Sequence, residues 1–143
     1  MRLIVDTSVL VGELLRAHGR APLEDDRLEL FLPERMWAET QVKLPRRITA
    51  FAGRRGLPPG DAGQLVVRCI EAVEADLAVL DEAIYAALED EALARCPRDP
   101  RDWPVVASAL ALSAGIWTND NDFLGTGVPT WTTITLDAWR ERS

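Results

Sequence analysis

The chain opens on Leu3-Ile4-Val5, an unbroken apolar run that reads as a fully buried strand of a parallel sheet. Asp6-Thr7-Ser8 follows, and each of these residues can cap a helix. Val9, Leu10, Glu13, Leu14 and Ala17 then recur at helical spacing as far as Gly19. Leu28–Leu32, closed by Pro33, predicts a second strand. A helix is expected over Glu34–Leu44, kinked or split at Pro45, with a further helical stretch over Arg46–Arg54 before the Gly56–Gly60 breakers. Leu65, Val66, Cys69, Ile70 and Val73 give Gln64–Val73 an apolar helical face. Leu77–Leu80 reads as a short strand, Asp81–Leu93 as a helix and Cys96–Asp102 as a loop. Trp103–Ala114 predicts a helix stopped by Gly115, and Ile116–Thr118 another strand. A last strand is expected at Thr132–Leu136, before a short tail helix. Strands alternating with helices specify an α/β domain around a mainly parallel sheet.

Composition narrows the class. With 143 residues, 48% of them hydrophobic and a net charge of -7, the chain suits one globular domain over residues 1–143. The uncharged run from Trp103 to Asn119 is interrupted by Pro104, Ser108, Ser113 and Gly115. A membrane span needs about 20 mostly apolar residues, so the run reads as a helix plus a strand, and no membrane role is expected. Asp6 and Glu13 break the N-terminal apolar stretch early, which makes it a poor secretory signal. Two cysteines, Cys69 and Cys96, and one histidine, His18, give neither a disulfide framework nor zinc-ligand spacing. Cys69 reads as a core residue and His18 as a surface residue at the end of the first helix. A cytoplasmic protein is expected.

The acids carry the chemical signal. Asp6 follows the first strand, Asp120 and Asp122 follow Ile116–Thr118, Asp102 opens a helix, and Glu39 lies in the helix after the second strand. In open parallel sheets, sites form beyond the carboxyl ends of the strands. Two like charges 4 Å apart cost about 4 kcal/mol at an effective dielectric of 20, so converging carboxylates call for a cation or a proton. Hard divalent ions take oxygen ligands, which makes Mg²⁺ or Mn²⁺ the natural choice here. Such an ion suits phosphodiester hydrolysis. Each acid also has an ordinary role open to it: Asp6 and Asp102 as helix caps, Glu39 as a solvated helix residue, Asp120 and Asp122 as parts of a polar turn.

These same segments resemble the PIN domain family, and most closely the VapC-like toxins of toxin–antitoxin pairs. Leu3-Ile4-Val5-Asp6-Thr7-Ser8-Val9-Leu10 is similar to the family's first-strand motif, and Trp37-Ala38-Glu39 to the motif that supplies its second acid. Asp102-Trp103-Pro104-Val105-Val106-Ala107-Ser108-Ala109-Leu110 resembles its Asp-then-apolar helix, and Ile116-Trp117-Thr118-Asn119-Asp120-Asn121-Asp122-Phe123 its late Thr-x-Asp-x-Asp-Phe motif. The resemblance spans nearly the whole chain. It implies a three-layer α/β/α domain and a metal-dependent endoribonuclease with catalytic Asp6, Glu39, Asp102 and Asp120. The implied metal set is Asp6, Asp102, Asp120 and Asp122, with Asp122 an outer member, and Ser8 and Thr118 would orient carboxylates. It also implies an RNA substrate, a cognate antitoxin and a homodimer. Glu34 competes with Glu39 for the second acid, and Asp99 is a further candidate. Trp103-Pro104 departs from the family by placing bulk where smaller residues are expected, a change expected to reshape substrate entry.

Charge is unevenly spread. Lys43–Arg55 holds five basic residues and no acid, while Cys69–Ala94 holds eight acids and no base. Lys43, Arg46 and Arg47 are the candidate RNA contacts, against the ordinary reading of a solvated helix face. The tryptophans at 37, 117, 131 and 139 read as core or interface residues rather than base-stacking platforms. The alternative function is a non-catalytic RNA- or protein-binding module of the same fold. A phosphoacceptor receiver domain also puts acids at strand ends, but it needs a lysine late in the chain, and Lys43 is the only lysine present.

Overall fold

A computed structural model of the chain describes residues 1–15, 22–96 and 98–142. The apolar opening forms β1 (Arg2–Val5), in which Leu3, Ile4 and Val5 are all fully buried. It sits in the middle of a five-stranded sheet because only a central position covers both faces of such a run. The other strands are β2 (Glu29–Pro33), β3 (Ala78–Leu80), β4 (Gly115–Trp117) and β5 (Thr130–Trp131). Their spatial order is β3-β2-β1-β4-β5, and every neighbouring pair is parallel. The expected three-layer α/β/α architecture is therefore what the chain adopts.

The helices are α1 (Thr7–Leu15), α2 (Glu34–Arg54), α3 (Pro59–Asp76), α4 (Glu82–Tyr85), α5 (Glu89–Arg95), α6 (Trp103–Leu112) and α7 (Thr133–Arg142). The chain steps outward from β1 to β2 to β3 through α1, α2 and α3, then returns past β1 to β4 through α4, α5 and α6. Right-handed crossovers in opposite directions place these two sets on opposite faces of the sheet. The change of direction falls between β1 and β4, which opens a crevice beyond their carboxyl ends. His18, and the expected end of the first helix at Gly19, lie outside the described residues.

Several local expectations are corrected. Pro45 neither splits nor ends its helix: α2 runs unbroken through it. The proline costs one backbone hydrogen bond, while Leu44 and Ile48, both almost fully buried, anchor the helix on either side of it. Helix α3 starts at Pro59, inside the breaker cluster, because proline at the first helical position loses no bond the helix would have made. The expected helix at Asp81–Leu93 is α4 and α5 joined by a 3₁₀ turn, Ala86–Leu88. Ser113, left-handed at φ 51°, ends α6, rather than Gly115. Gly115 is instead the first residue of β4, and a Cβ there would meet Leu3 Cδ2 and the Pro129 carbonyl at 3.2 Å. Thr132–Leu136 is not a strand: β5 ends at Trp131 and α7 begins. Thr132 Oγ1 accepts from the Thr135 N–H at 3.1 Å and Thr135 Oγ1 from the Thr132 N–H at 2.9 Å, a reciprocal cap that outweighs the strand preference of these β-branched residues.

Candidate metal centre

Asp6 leaves β1 at the crevice and is 7% exposed. Its Oδ2 accepts from Ser8 Oγ at 2.9 Å and from Thr118 Oγ1 at 2.9 Å, so Oδ1 takes neither bond. Ser8 and Thr118, the two residues expected to orient carboxylates, both lie against Asp6. Parallel pairing sets this up: Val5 lies opposite Trp117, which brings Asp6 and Thr118 together at adjacent strand ends. The Asp6 N–H continues the ladder to the Trp117 carbonyl at 3.0 Å. Thr118 Oγ1 also accepts from the Asp120 N–H at 3.0 Å, and Asp120 Oδ1 from the Asp122 N–H at 3.0 Å. This sequence of short bonds turns the chain after β4 over the crevice. Ser8, Val9, Asn119, Asp120 and Asn121 line an open cleft of about 410 Å³ there.

Asp102 reaches the same end from the start of α6, and its side chain makes no capping bond to that helix. Oxygens of Asp99, Asp102 and Asp122 lie within 4.8 Å of one another, all three residues half-buried. Burial, followed by the charges of Asp99, Asp6, Asp122 and Asp120, pushes the Asp102 carboxyl up to about 7. Burial and Asp120 also raise Asp122. A group of carboxylates that hold one another's charge off in this way fits a cation bound through hard oxygen donors. Among the expected ligands, Asp102 and Asp122 are in the tight group, while Asp6 and Asp120 stand close enough for their charges to act on Asp102.

Asp99, the further candidate, completes that group. Its Oδ1 accepts from the Arg101 N–H at 3.0 Å, capping the 3₁₀ turn Pro100–Asp102. The Arg101 guanidinium then holds its carboxyl below the usual range. The sequence signal was the Asp-Pro turn opening three residues before Asp102. Arg98 and Arg101, which sequence reasoning overlooked, supply positive charge at this rim: Arg98 Nη1 donates to the Asn121 carbonyl at 3.3 Å.

Glu39 stands apart from the tight group. It pairs with Lys43 at 3.0 Å and lines a small recess with Thr7, Thr40, Lys43 and Arg47, beside the residue that follows Asp6. Glu34 points elsewhere: its Oε2 accepts from the Glu82 N–H at 3.0 Å, fixing the start of α4. Arg46 and Arg47 are exposed along α2. Trp103 does not line the cleft. Its ring is buried, 5.7 Å from that of Tyr85, with the Arg35 guanidinium 5.2 Å from its centroid. Pro104 sits in the first turn of α6, where it costs no bond. Trp37 and Trp117 are core residues, and Cys69 is fully buried.

A family model described as PIN domain matches residues 4–141. No curated protein matches the chain. No helix among the described residues is long and apolar enough to cross a membrane.

Proposed function

The chain belongs to the PIN domain family, whose members are generally metal-dependent nucleases, and from that premise we propose that it is an endoribonuclease using Mg²⁺ or Mn²⁺. The observation that carries this is the carboxylate group around Asp102, gathered where the sheet changes direction. Asp6, Asp102, Asp120 and Asp122 would hold the ion, with Asp99 at its edge. Bound there, a divalent ion supplies water activation and stabilises negative charge on the phosphate oxygens. Ser8 and Thr118 fix the Asp6 carboxylate before substrate arrives, and Glu39, next to Thr7, is the acid nearest the α2 side of the substrate path. Lys43, Arg46 and Arg47 contact backbone phosphates along α2. A protein of net charge -7 that cuts RNA requires such a local positive track.

The likeness of the four motifs to VapC-like toxins supports a place in a toxin–antitoxin pair, with a cognate antitoxin, a homodimer and a single domain in the cytoplasm. RNA incubated with the protein and Mg²⁺ or Mn²⁺ is expected to yield fragments with 5′-phosphate and 3′-hydroxyl ends. Equal cleavage in excess EDTA would overturn the metal chemistry. A small basic or DNA-binding protein encoded next to this chain supports the toxin role, and no such neighbour counts against it.

A further inference from the structure

Arg101 stands at the rim of the acidic group with its side chain 85% exposed. Its Nε donates to Asp99 Oδ1 at 3.1 Å and its Nη2 to Asp99 Oδ2 at 3.2 Å, the forked geometry a guanidinium makes with a carboxylate. Asp99 is therefore held twice. Its carboxylate is closed by this cation, and it also belongs to the trio whose oxygens lie within 4.8 Å of one another. The negative charges of Asp99, Glu39 and Asp102 all favour the charged form of the Arg101 guanidinium.

We propose, resting on the reading that this group holds a divalent ion, that Asp99 is a further ligand of that ion and that Arg101 is its resident counter-ion, so that guanidinium and metal compete for the same carboxylate. The pairing reduces the mutual repulsion of the acids while no ion is bound. Its exposure makes it easy to undo: water replaces the guanidinium contacts at little cost. Release leaves the turn intact, because the Arg101 backbone N–H stays bonded to Asp99 Oδ1 at 3.0 Å. The freed guanidinium then lies where a substrate phosphate would approach.

The contrasting arrangement is that Asp99 only caps the turn and Arg101 acts on the ion through space. A double-mutant cycle separates the two. Mn²⁺ affinity is measured by titration calorimetry, without RNA, for the full chain, Arg101→Gln, Asp99→Asn and the double variant. Gln removes the charge and the fork but keeps the backbone donor, and Asn keeps the acceptor for it, so the turn survives in all four proteins. Arg101→Gln is expected to tighten Mn²⁺ binding by about two- to fivefold, the range an exposed ion pair supports. Asp99→Asn should weaken binding, and Arg101→Gln should then have no effect in the Asp99→Asn background. Equal tightening in both backgrounds, or no weakening by Asp99→Asn, overturns the competition. If the unaltered chain binds Mn²⁺ and cleaves RNA while the cycle shows no coupling, only this inference falls. If it binds no Mn²⁺, the metal-nuclease reading falls and the competition with it.

Discussion

Thr118 Oγ1 donates to Asp6 Oδ2 at 2.9 Å, joining two residues 112 positions apart in the chain. The same oxygen accepts from the Asp120 N–H, so one buried hydroxyl links the acid after β1 to the acidic turn after β4. Thr118→Val keeps the shape and removes both bonds. It leaves one hydrogen bond, from Ser8, on a nearly buried carboxylate, and frees the Asp120 N–H. Nuclease activity or metal affinity should fall by about 10- to 100-fold, as for other groups that orient ligands. Stability should fall by about 1–3 kcal/mol. Thr118→Ser, which restores the hydroxyl, should recover most of both. Steady-state cleavage, Mn²⁺ titration and thermal melts check this, and a fully active Thr118→Val protein would remove the hydroxyl from the account.

Asp102 makes stability depend on pH in a direction opposite to that of most acids. Its folded value, about 7, lies above the ordinary carboxylate value, so the folded state binds the proton more tightly than the unfolded state does. The contribution is fully present below about pH 4 and is lost as pH rises through about 7. Asp102→Asn cannot ionise. In EDTA it should melt close to the unaltered protein at pH 4, and the gap should widen with pH until the variant melts clearly above it at pH 8. Mg²⁺ should raise the melting temperature of the unaltered protein, by about 2.7 kcal/mol of stabilisation at a hundredfold excess over Kd, and should do much less for the variant. A variant that melts at or below the unaltered protein at pH 8 in EDTA would show that these acids do not repel one another.

Ion binding follows from the same proton. A carboxylate must be deprotonated to ligate, so binding should release a proton from Asp102 near neutrality. Mn²⁺ affinity should rise between pH 6 and pH 8 and level off above that. Calorimetry in buffers of different ionisation enthalpy measures the released proton directly, and a pH-independent affinity would contradict the coupling.

Along α2, Arg46 and Arg47 are exposed and Lys43 pairs with Glu39 one helical turn away. RNA affinity should fall with salt at a slope near 0.7 per neutralised phosphate. Arg46→Ala with Arg47→Ala should flatten the slope by about 1.4 if both contact phosphates. Fluorescence anisotropy with labelled RNA across a salt series, in Ca²⁺ or EDTA to prevent cleavage, reads the slope. An unchanged slope would return these residues to an ordinary solvated face.

The sequence made the sheet and the acids readable for a shared reason. Leu3-Ile4-Val5 needs a central parallel position, and that position delivers Asp6 to the crevice. Ile116-Trp117-Thr118 does the same for the Asn-Asp-Asn-Asp turn. What stayed hidden was decided by contacts distant in sequence or by reciprocal caps. The role of Gly115 depends on Leu3, Pro129 and Trp131 crowding it, not on α6. The threonines at 132 and 135 look like strand residues until their hydroxyls are seen bonding each other's backbone. Pro45 looks like a break until the buried Leu44 and Ile48 show what holds the helix together. In the site, the second acid was ambiguous between Glu34 and Glu39 because both lie on one helix. In three dimensions Glu34 is bonded to the Glu82 N–H, while Glu39 and Thr7 line one recess.

The central claim, that carboxylates gathered at the β1/β4 crevice drive metal-dependent RNA cleavage, is tested most directly by Asp6→Asn. The substitution keeps the size of the side chain and its ability to accept from Ser8 and Thr118, and removes the charge. Cleavage of a single-stranded RNA in Mg²⁺ or Mn²⁺ should be abolished while the circular-dichroism spectrum and melting temperature stay near those of the unaltered protein. Cleavage by folded Asp6→Asn at the unaltered rate would contradict the claim.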